Sequence, residues 1–146
     1  MRMQLTTRRD GAVTVVAAAG ELTVPTAPSF LRQARLALAP IAEPLVAVDL
    51  SGVRRIDSSG FAALVALLRH VQRRSGEVCL VGLGAEARLL LEIMQLHLLF
   101  DVCEDVPAAV EAMTAARPVT ATSARPRHLL GRIRLTPAPF ERRAAS

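Results

Sequence analysis

Apolar and polar positions follow two different periods along the first 116 residues, one typical of strands and one typical of helices. Residues 4–7 and 13–16 are strand-like runs on either side of Asp10 and Gly11, and an Asp-Gly pair between two such runs predicts a tight hairpin. Short apolar runs further along the chain predict the other strands, at residues 45–50, 78–81 and 99–102. About four to five strands are therefore expected.

Four other stretches carry apolar residues at the spacing of an amphipathic helix. The predicted helices cover residues 27–38, the stretch from Ser58 or Ser59 to about Ser75, residues 85–96 and residues 108–116. Pro40 closes the first helix, and Pro107 stands in the first turn of the last one. Strands that alternate with helices predict an α/β domain, in which a central mixed sheet is packed by about four helices.

Composition adds that the core has to be built almost without aromatic side chains. Apolar residues make up 51% of the chain, which is ample for a core, whereas aromatic residues make up only 3%.

The formal net charge of +5 is unevenly distributed. Residues 1–116 hold 11 arginines against 12 acidic residues, and residues 117–146 hold seven arginines against Glu141. The basic character therefore belongs to the end of the sequence.

Residues 117–146 differ from the rest in composition. They are rich in Pro, Ala and Arg, so we expect a folded domain over residues 1–116 followed by a disordered basic tail. Within the tail, residues 128–135 are more apolar and are candidates for contact with an acidic partner surface, a membrane or nucleic acid. Without aromatic residues or a recognised binding module, direct nucleic-acid binding is not expected.

Cysteine usage and hydropathy predict a cytoplasmic protein. Cys79 and Cys103 have neither metal-ligand spacing nor the density of a disulfide framework, which is typical of a reducing compartment. Cys79 falls in a strand-like run, where burial is expected. No signal peptide is visible, and no apolar run reaches the roughly 18 residues that suggest a membrane span.

The most informative segment is Val-Asp-Leu-Ser-Gly-Val-Arg-Arg-Ile-Asp-Ser-Ser-Gly at residues 48–60. It ends a buried strand with a turn that opens a helix, and Asp57, Ser58 and Ser59 are all residue types that cap helix N-termini. Gly60 leaves room beside them. A phosphate on this turn would meet the favourable end of the helix dipole. From the residue types alone, an ordinary capping cluster is the favoured interpretation.

The whole segment resembles the signature of the STAS domain of bacterial anti-sigma-factor antagonists. The resemblance runs from about residue 3 to about residue 115 and includes Gly-Glu-Leu at 20–22, the strand at 76–81 and the helix at 88–93. It implies phosphorylation of Ser59 by a partner. The partner-binding residues that it implies are Thr23, Asp57, Ser58, Ser59, Gly60, Phe61 and Ala63, with Ala63 on the exposed side of the signature helix.

The resemblance also implies a non-enzymatic role in a partner switch. The unphosphorylated protein would bind an anti-sigma factor that is also a serine kinase, and would thereby free a sigma factor. Phosphorylation of Ser59 would end the binding, and a phosphoserine phosphatase would restore it. The kinase would bind the ATP, because this chain has no lysine and no phosphate-cradling loop. No cofactor or metal is expected.

Other functions remain as alternatives. STAS-like domains also serve as docking subunits of transporter complexes, where the turn would act without a phospho-switch. A small-ligand sensor is a third possibility, although no pocket signature is present. A serine hydrolase is not expected, because there is no Gly-x-Ser-x-Gly elbow and His70, His97 and His128 have no motif context.

The sequence departs from the family pattern at two positions. Thr23 follows Gly-Glu-Leu where the family usually carries Asp, so an acidic group expected near the phosphorylated serine is absent. Gln95 replaces a glycine that is common where the third helix ends, which is expected to change the end of that helix. The first departure bears on phosphorylation and partner choice, and the second bears on the helix cap.

Overall fold

The computed structural model describes residues 2–115 of the chain as an α/β domain of five strands and four α-helices. In chain order the elements are β1 (Met3–Asp10), β2 (Val13–Leu22), α1 (Ala27–Leu38), β3 (Leu45–Ile56), α2 (Ser58–Gln72), β4 (Glu77–Val81), α3 (Ala85–Ile93), a 3₁₀ turn (Leu96–Leu98), β5 (Asp101–Cys103) and α4 (Val106–Ala115). The predicted fold class is confirmed. The predicted tail, residues 117–146, lies outside the described residues.

The strands form one mixed sheet in the order β1-β2-β3-β4-β5. The first pair is antiparallel and the other three pairs are parallel. The hairpin is confirmed, but its two loop residues are Gly11 and Ala12, because Asp10 already pairs with Val13. Gly11 has a φ of 63°, and glycine adopts this left-handed conformation without the penalty that a Cβ adds. The turn is therefore one residue later than the Asp-Gly pair suggests.

The two faces of the sheet are covered unequally. On β2, Val16 and Ala18 point into a core shared with α1, α2 and α3, while Val13 and Val15 point into a smaller core shared with α4. The larger core contains the buried faces of three helices, and its bulkiest fully buried side chains are Phe30, Phe61 and Phe100. The aromatic residues among positions 2–115 thus all pack on the three-helix face.

Several element ends differ from the predicted ones because pairing between strands sets them. β3 continues to Ile56 rather than ending near residue 50, since it stays paired with β2 as far as Leu22. Its pairing with β4 ends at Asp49 and Val81. Residues 51–55 are mostly polar, so local hydrophobicity gives no sign of this extension. The last part of β3 is therefore paired on one side only, with β2.

Arg74, just after the C-terminal end of α2, is hydrogen-bonded to the C-terminal end of α1. Its guanidinium donates hydrogen bonds to the carbonyl oxygens of Leu38 (2.7 Å), Ala39 (3.0 Å) and Ile41 (2.6 Å). Carbonyl groups at a helix end have no partner within the helix, and the planar guanidinium can reach several of them at once. The two helices that pack beside each other on the larger core are therefore also joined at their ends.

Candidate functional site

The Asp-Ser-Ser-Gly turn lies where the carboxyl end of β3 meets the first turn of α2. Asp57 is the N-cap residue, with an extended backbone, and its carboxylate accepts a hydrogen bond of 3.0 Å from the backbone N–H of Gly60. This bond satisfies one of the free N–H groups at the start of the helix. The predicted capping role of Asp57 is therefore observed, and it fixes the position of the two serines that follow.

Gly60 brings this first helical turn against the end of β2. A Cβ at position 60 would lie 2.3 Å from the carbonyl oxygen of Leu22 and 2.7 Å from Cγ1 of Ile56, closer than real Cβ contacts. The same carbonyl oxygen of Leu22 accepts a hydrogen bond of 3.3 Å from the backbone N–H of Asp57. The turn is thus held between two strands, and the contact requires glycine.

The two serines occupy the first two positions of α2. Ser58 is exposed and Ser59 is half-buried. Within residues 2–115, neither hydroxyl makes a hydrogen bond. A group attached to the Ser59 oxygen would lie beside the N-terminal end of the α2 dipole, which favours negative charge. The arrangement can accommodate a phosphate without breaking an internal contact of the serine side chains.

Thr23 begins the loop that leads from β2 into α1, and it is 6% exposed. Its backbone N–H donates to Oγ1 of Thr26 (2.9 Å), whose hydroxyl donates to the carbonyl oxygen of Glu21 (2.7 Å). The carbonyl oxygen of Thr23 accepts a hydrogen bond of 2.8 Å from the backbone N–H of Ala27, the first residue of α1. Because Leu22 contacts Gly60, this loop and the serine turn are neighbours.

Charge near the turn comes mainly from the last residues of β2 and β3. The carboxylate of Glu21 lies 3.8 Å from the guanidinium of Arg54, whose side chain is 73% exposed. The Glu21 side chain is 15% exposed, but the long separation and the exposed Arg54 partner make the contribution of this pair to stability small. Arg55 is also exposed, and Asp57 adds a negative charge next to the serines. A partner approaching the turn therefore meets closely spaced charges of both signs.

Two of the predicted contact residues lie in the core. Phe61 is fully buried, and Ala63, which was predicted on the exposed side of α2, is 7% exposed, so that prediction for Ala63 is wrong. The reason is that α1 packs against a second side of α2, which widens its buried stripe beyond the face that meets the sheet. Ala62 is the exposed residue at this level of the helix. The predicted apolar stripe does not distinguish Ala62 from Ala63, because the two positions lie about equally far from its centre.

His70 is remote from the turn. His70 lies on the same helix, eleven residues after Ser59, which corresponds to about 16 Å along the helix axis. Burial lowers the pKa of His70, and the charges of Arg35, Arg74 and Arg73 lower it further, in that order. Its Nε2 atom is buried and has no hydrogen-bond partner. His70 is therefore placed to pack between helices and not to activate Ser59.

The cysteines form a close pair on neighbouring strands. Cys79 is 2% exposed, as predicted, and its Sγ lies 3.3 Å from Sγ of Cys103. The two sulfur atoms are within hydrogen-bonding distance and are not joined in a disulfide. Over the described part of the chain there is no cluster of three His, Cys, Asp or Glu side chains that could hold a metal ion. In the same residues, every helix is too short or too polar to cross a membrane.

Comparison with known proteins places this geometry in a family. The STAS domain family matches residues 4–109. An anti-sigma factor antagonist from Mycobacterium paratuberculosis has 23% identity and a TM-score of 0.70, over 77% of this chain and 95% of that one. The anti-sigma factor antagonist SpoIIAA in its unphosphorylated form has 12% identity and a TM-score of 0.59, over 77% and 98%.

A third similar structure is much larger than this chain. It is the murine anion transporter Slc26a9, with 17% identity and a TM-score of 0.66, and the match covers 74% of this chain but only 18% of the transporter. No curated protein matches the sequence. At these identities the structural matches show a shared fold, whereas the family match spans the sheet, the serine turn and the helices of the larger core. The chain therefore belongs to the STAS domain family.

Proposed function

We propose that this protein is an anti-sigma-factor antagonist, a binding protein rather than an enzyme, which is controlled by phosphorylation of Ser59. The unphosphorylated form binds an anti-sigma factor that is also a serine kinase, and a sigma factor is thereby released. Phosphorylation of Ser59 ends the interaction, and a phosphoserine phosphatase reverses it. Family membership and the fold shared with anti-sigma factor antagonists support this general role.

The observation that carries the proposal is the placement of Ser59. Its side chain is half-buried in the first turn of α2, with no internal hydrogen bond in the described part of the chain, and Asp57 fixes the backbone around it. A kinase can reach such a hydroxyl without unfolding the turn. The helix N-terminus then stabilises the phosphate that forms. Phosphorylation would therefore change the surface while leaving the fold intact.

Electrostatics explains how that change could act on a partner. A phosphoserine adds about −1.5 to −2 charges at neutral pH. It would stand two residues from Asp57, on a surface that has to lose water when the complex forms. Like charge and desolvation at an interface cost several kcal/mol, and ~3 kcal/mol corresponds to a hundredfold weaker complex.

The docking surface that fits this proposal is narrower than the set of residues implied by the sequence. Ser58, Ser59 and Ala62 provide side chains on or near the surface, and Asp57 provides charge. Gly60, Phe61, Ala63 and Thr23 are buried, so they hold the turn in place and have little side-chain surface to offer. Alanine at position 62 would allow a partner helix or loop to approach the backbone closely.

The proposal is tested with the anti-sigma factor that the protein captures from its native cell. Incubation with that partner and ATP should place one phosphate on Ser59, as mapped by mass spectrometry. Ser59→Glu should weaken the complex at least tenfold in a titration, because it introduces lasting negative charge. Thr114→Glu makes a comparable change on α4, at an exposed position on the other face of the sheet, and should leave binding unchanged.

Two results would contradict the phospho-switch. One is a phosphate on another residue while Ser59 stays unmodified, and the other is equal binding by the Ser59→Glu and Thr114→Glu variants. A transporter docking subunit is the second candidate, favoured by the fold shared with part of Slc26a9. Recovery of a membrane transporter in place of an anti-sigma factor, with binding unaffected by Ser59→Glu, would support that candidate.

A further inference from the structure

A group of exposed arginines lies on the outer faces of α1 and α2. The two helices lie side by side, and the hydrogen bonds of Arg74 join their C-terminal ends. We call the exposed group the basic patch, and it consists of Arg32, Arg35, Arg69 and Arg73. Within residues 2–115, none of these four side chains makes a hydrogen bond or an ion pair. Nothing in that part of the chain therefore neutralises their charges directly.

Positive charge is concentrated here although the domain as a whole is slightly acidic. Residues 1–116 hold 11 arginines against 12 acidic residues. Residues 23–42 and 58–76, which contain α1 and α2, hold five arginines and no acidic residue. Glu43, five residues after the end of α1, is exposed, whereas Glu77 is only 7% exposed. A net positive surface remains, and a surface that complements it is acidic.

The arginines of the two helices are close enough to act on the same side chain. Burial lowers the pKa of His70, and the charges of Arg35, Arg74 and Arg73 lower it further. Arg35 is in the last turn of α1, whereas Arg73 and Arg74 directly follow α2. The basic patch is thus one surface across both helices. Like charges held together in this way repel one another, which favours the binding of opposite charge.

The exposed side of α2 connects the serine turn to the basic patch. Its exposed residues follow one another at intervals of four, seven and four positions, the spacing of one helix face, and are Ser58, Ala62, Arg69 and Arg73. The two arginines lie ten and fourteen residues after Ser59, about 15 and 21 Å along the helix axis. A protein interface of standard size, about 800 Å² on each partner, is about 30 Å across. One partner can therefore cover the serine turn and the basic patch together.

We propose that the basic patch is a second part of the surface that binds the anti-sigma factor, and that it receives an acidic region of that protein. This inference rests on the proposed function. Leu36, which is 68% exposed and one turn after Arg32, adds an apolar side chain among the arginines. Arginine together with apolar side chains is typical of protein interfaces, whereas a surface that binds phosphate groups does not need the leucine.

Charge reversal in the full chain tests the basic patch. Arg73→Glu should weaken the complex with the captured anti-sigma factor at least tenfold in a titration, because it places like charge opposite an acidic region. Arg8→Glu makes the same charge change on β1, where Arg8 pairs with Val15 on the face covered by α4, and should leave binding unchanged. Both variants keep the arginines of residues 117–146, which contribute equally. Equal binding by the two variants would overturn the inference.

A charge-preserving variant and salt separate a direct contact from an effect on the fold. Arg73→Lys keeps the positive charge and should retain most of the affinity that Arg73→Glu loses. Added NaCl should weaken the complex of the unaltered protein more steeply than the complex of Arg73→Glu, which lacks the ionic contact. An equal loss for the lysine and glutamate variants, or equal salt dependence of the unaltered protein and Arg73→Glu, would contradict the inference.

The outcomes distinguish this inference from the phospho-switch. Equal binding by Ser59→Glu and Thr114→Glu would contradict the switch, and the comparison of Arg73→Glu with Arg8→Glu would still decide the role of the basic patch. Duplex DNA and phosphatidylglycerol vesicles provide the alternative ligands. If Arg73→Glu loses binding to either of them while its complex with the anti-sigma factor stays as tight, the basic patch belongs to that ligand and the inference is overturned.

Discussion

At the scale of single residues, a missing side chain decides the geometry of the serine turn. Gly60 lets the first turn of α2 approach the Leu22 carbonyl oxygen, which would be 2.3 Å from a Cβ. We predict that Gly60→Ala lowers the free energy of unfolding by about 1–3 kcal/mol, because backbone atoms must shift to admit the methyl group. Chemical denaturation of the purified full chain measures the loss.

Gly84 provides a matched control for this prediction. It caps α3 with a φ of −72°, and a Cβ at this position has no neighbour within 4 Å. Gly84→Ala should therefore change the free energy of unfolding by no more than about 1 kcal/mol. An equal loss for the two substitutions would contradict the role assigned to the contact between Gly60 and Leu22.

Residue types alone predicted one part of the turn well and another part poorly. The cap at Asp57 was predictable because a carboxylate before an amphipathic run is a local signal, and the bond to Gly60 needs no distant element. The burial of Ala63 was not predictable in this way. It depends on α1, which packs on a second side of α2 and whose position is not encoded within α2 itself.

At the scale of elements, the end of α3 carries a strained residue. Gln95 has a φ of 61° and a ψ of 23°, the left-handed conformation, in which a Cβ costs about 1–2 kcal/mol. We predict that Gln95→Gly raises the free energy of unfolding by about 0.5–1 kcal/mol, less than the full strain because glycine also loses more entropy on folding. The midpoint of urea unfolding should rise accordingly.

The matched control is Gln33→Gly in the middle of α1, where the backbone is helical. Glycine in a helix interior lowers stability by about 1 kcal/mol, and this variant also loses the hydrogen bond from Gln33 to Ser29. The two glutamine substitutions should thus shift the midpoint in opposite directions. A decrease in both would show that the left-handed conformation of Gln95 is not a source of strain.

Element types were more predictable than element ends. The departure of Gln95 from a common glycine indicated that the end of α3 is unusual, and the structure places the left-handed residue there. The extension of β3 to Ile56 had no such signal, because residues 51–55 are polar and the strand continues only through its pairing with β2. Contacts between segments, and not local sequence, determine that boundary.

At the scale of the whole molecule, packing between α1 and α2 links stability to pH. Burial, reinforced by Arg35, Arg74 and Arg73, lowers the pKa of His70 below 6.5 in the folded state, while the unfolded chain keeps a pKa of about 6.5. The unfolded state therefore binds a proton more readily. We predict that His70 does not lower the free energy of unfolding above pH 6.5. As the pH falls below 6.5, protonation of His70 in the unfolded state should lower the free energy of unfolding by at most about 1.4 kcal/mol per pH unit.

Unfolding by denaturant at several pH values between about 5.5 and 7.5 measures this dependence. His70→Gln removes the titrating group and should flatten the curve in that range. His97→Gln removes a different histidine and leaves His70 in place, so it should keep the loss below pH 6.5. A curve for His70→Gln that is as steep as that of the unaltered protein would assign the pH dependence to other groups.

The architecture of the whole domain could be predicted from the sequence only in part. Alternating strand and helix patterns predicted the mixed sheet, because each period depends on residues close in the chain. The division of the sheet into a three-helix face and a face covered by α4 was not predictable. It depends on which face of the sheet each helix between two strands covers. In the folded chain, Val16 packs on one face, and Val13 and Val15 pack on the other.

The contact between Gly60 and Leu22 also has a consequence for evolution in this family. Glycine at this position is required by the meeting of a strand and a helix, whether or not the neighbouring serine is ever modified. Selection on the fold should therefore retain the glycine in relatives that lack the proposed switch. The hydroxyl at position 59 is free of that constraint and can diverge. Among related sequences, the glycine should mark common ancestry, and the hydroxyl should mark retained signalling.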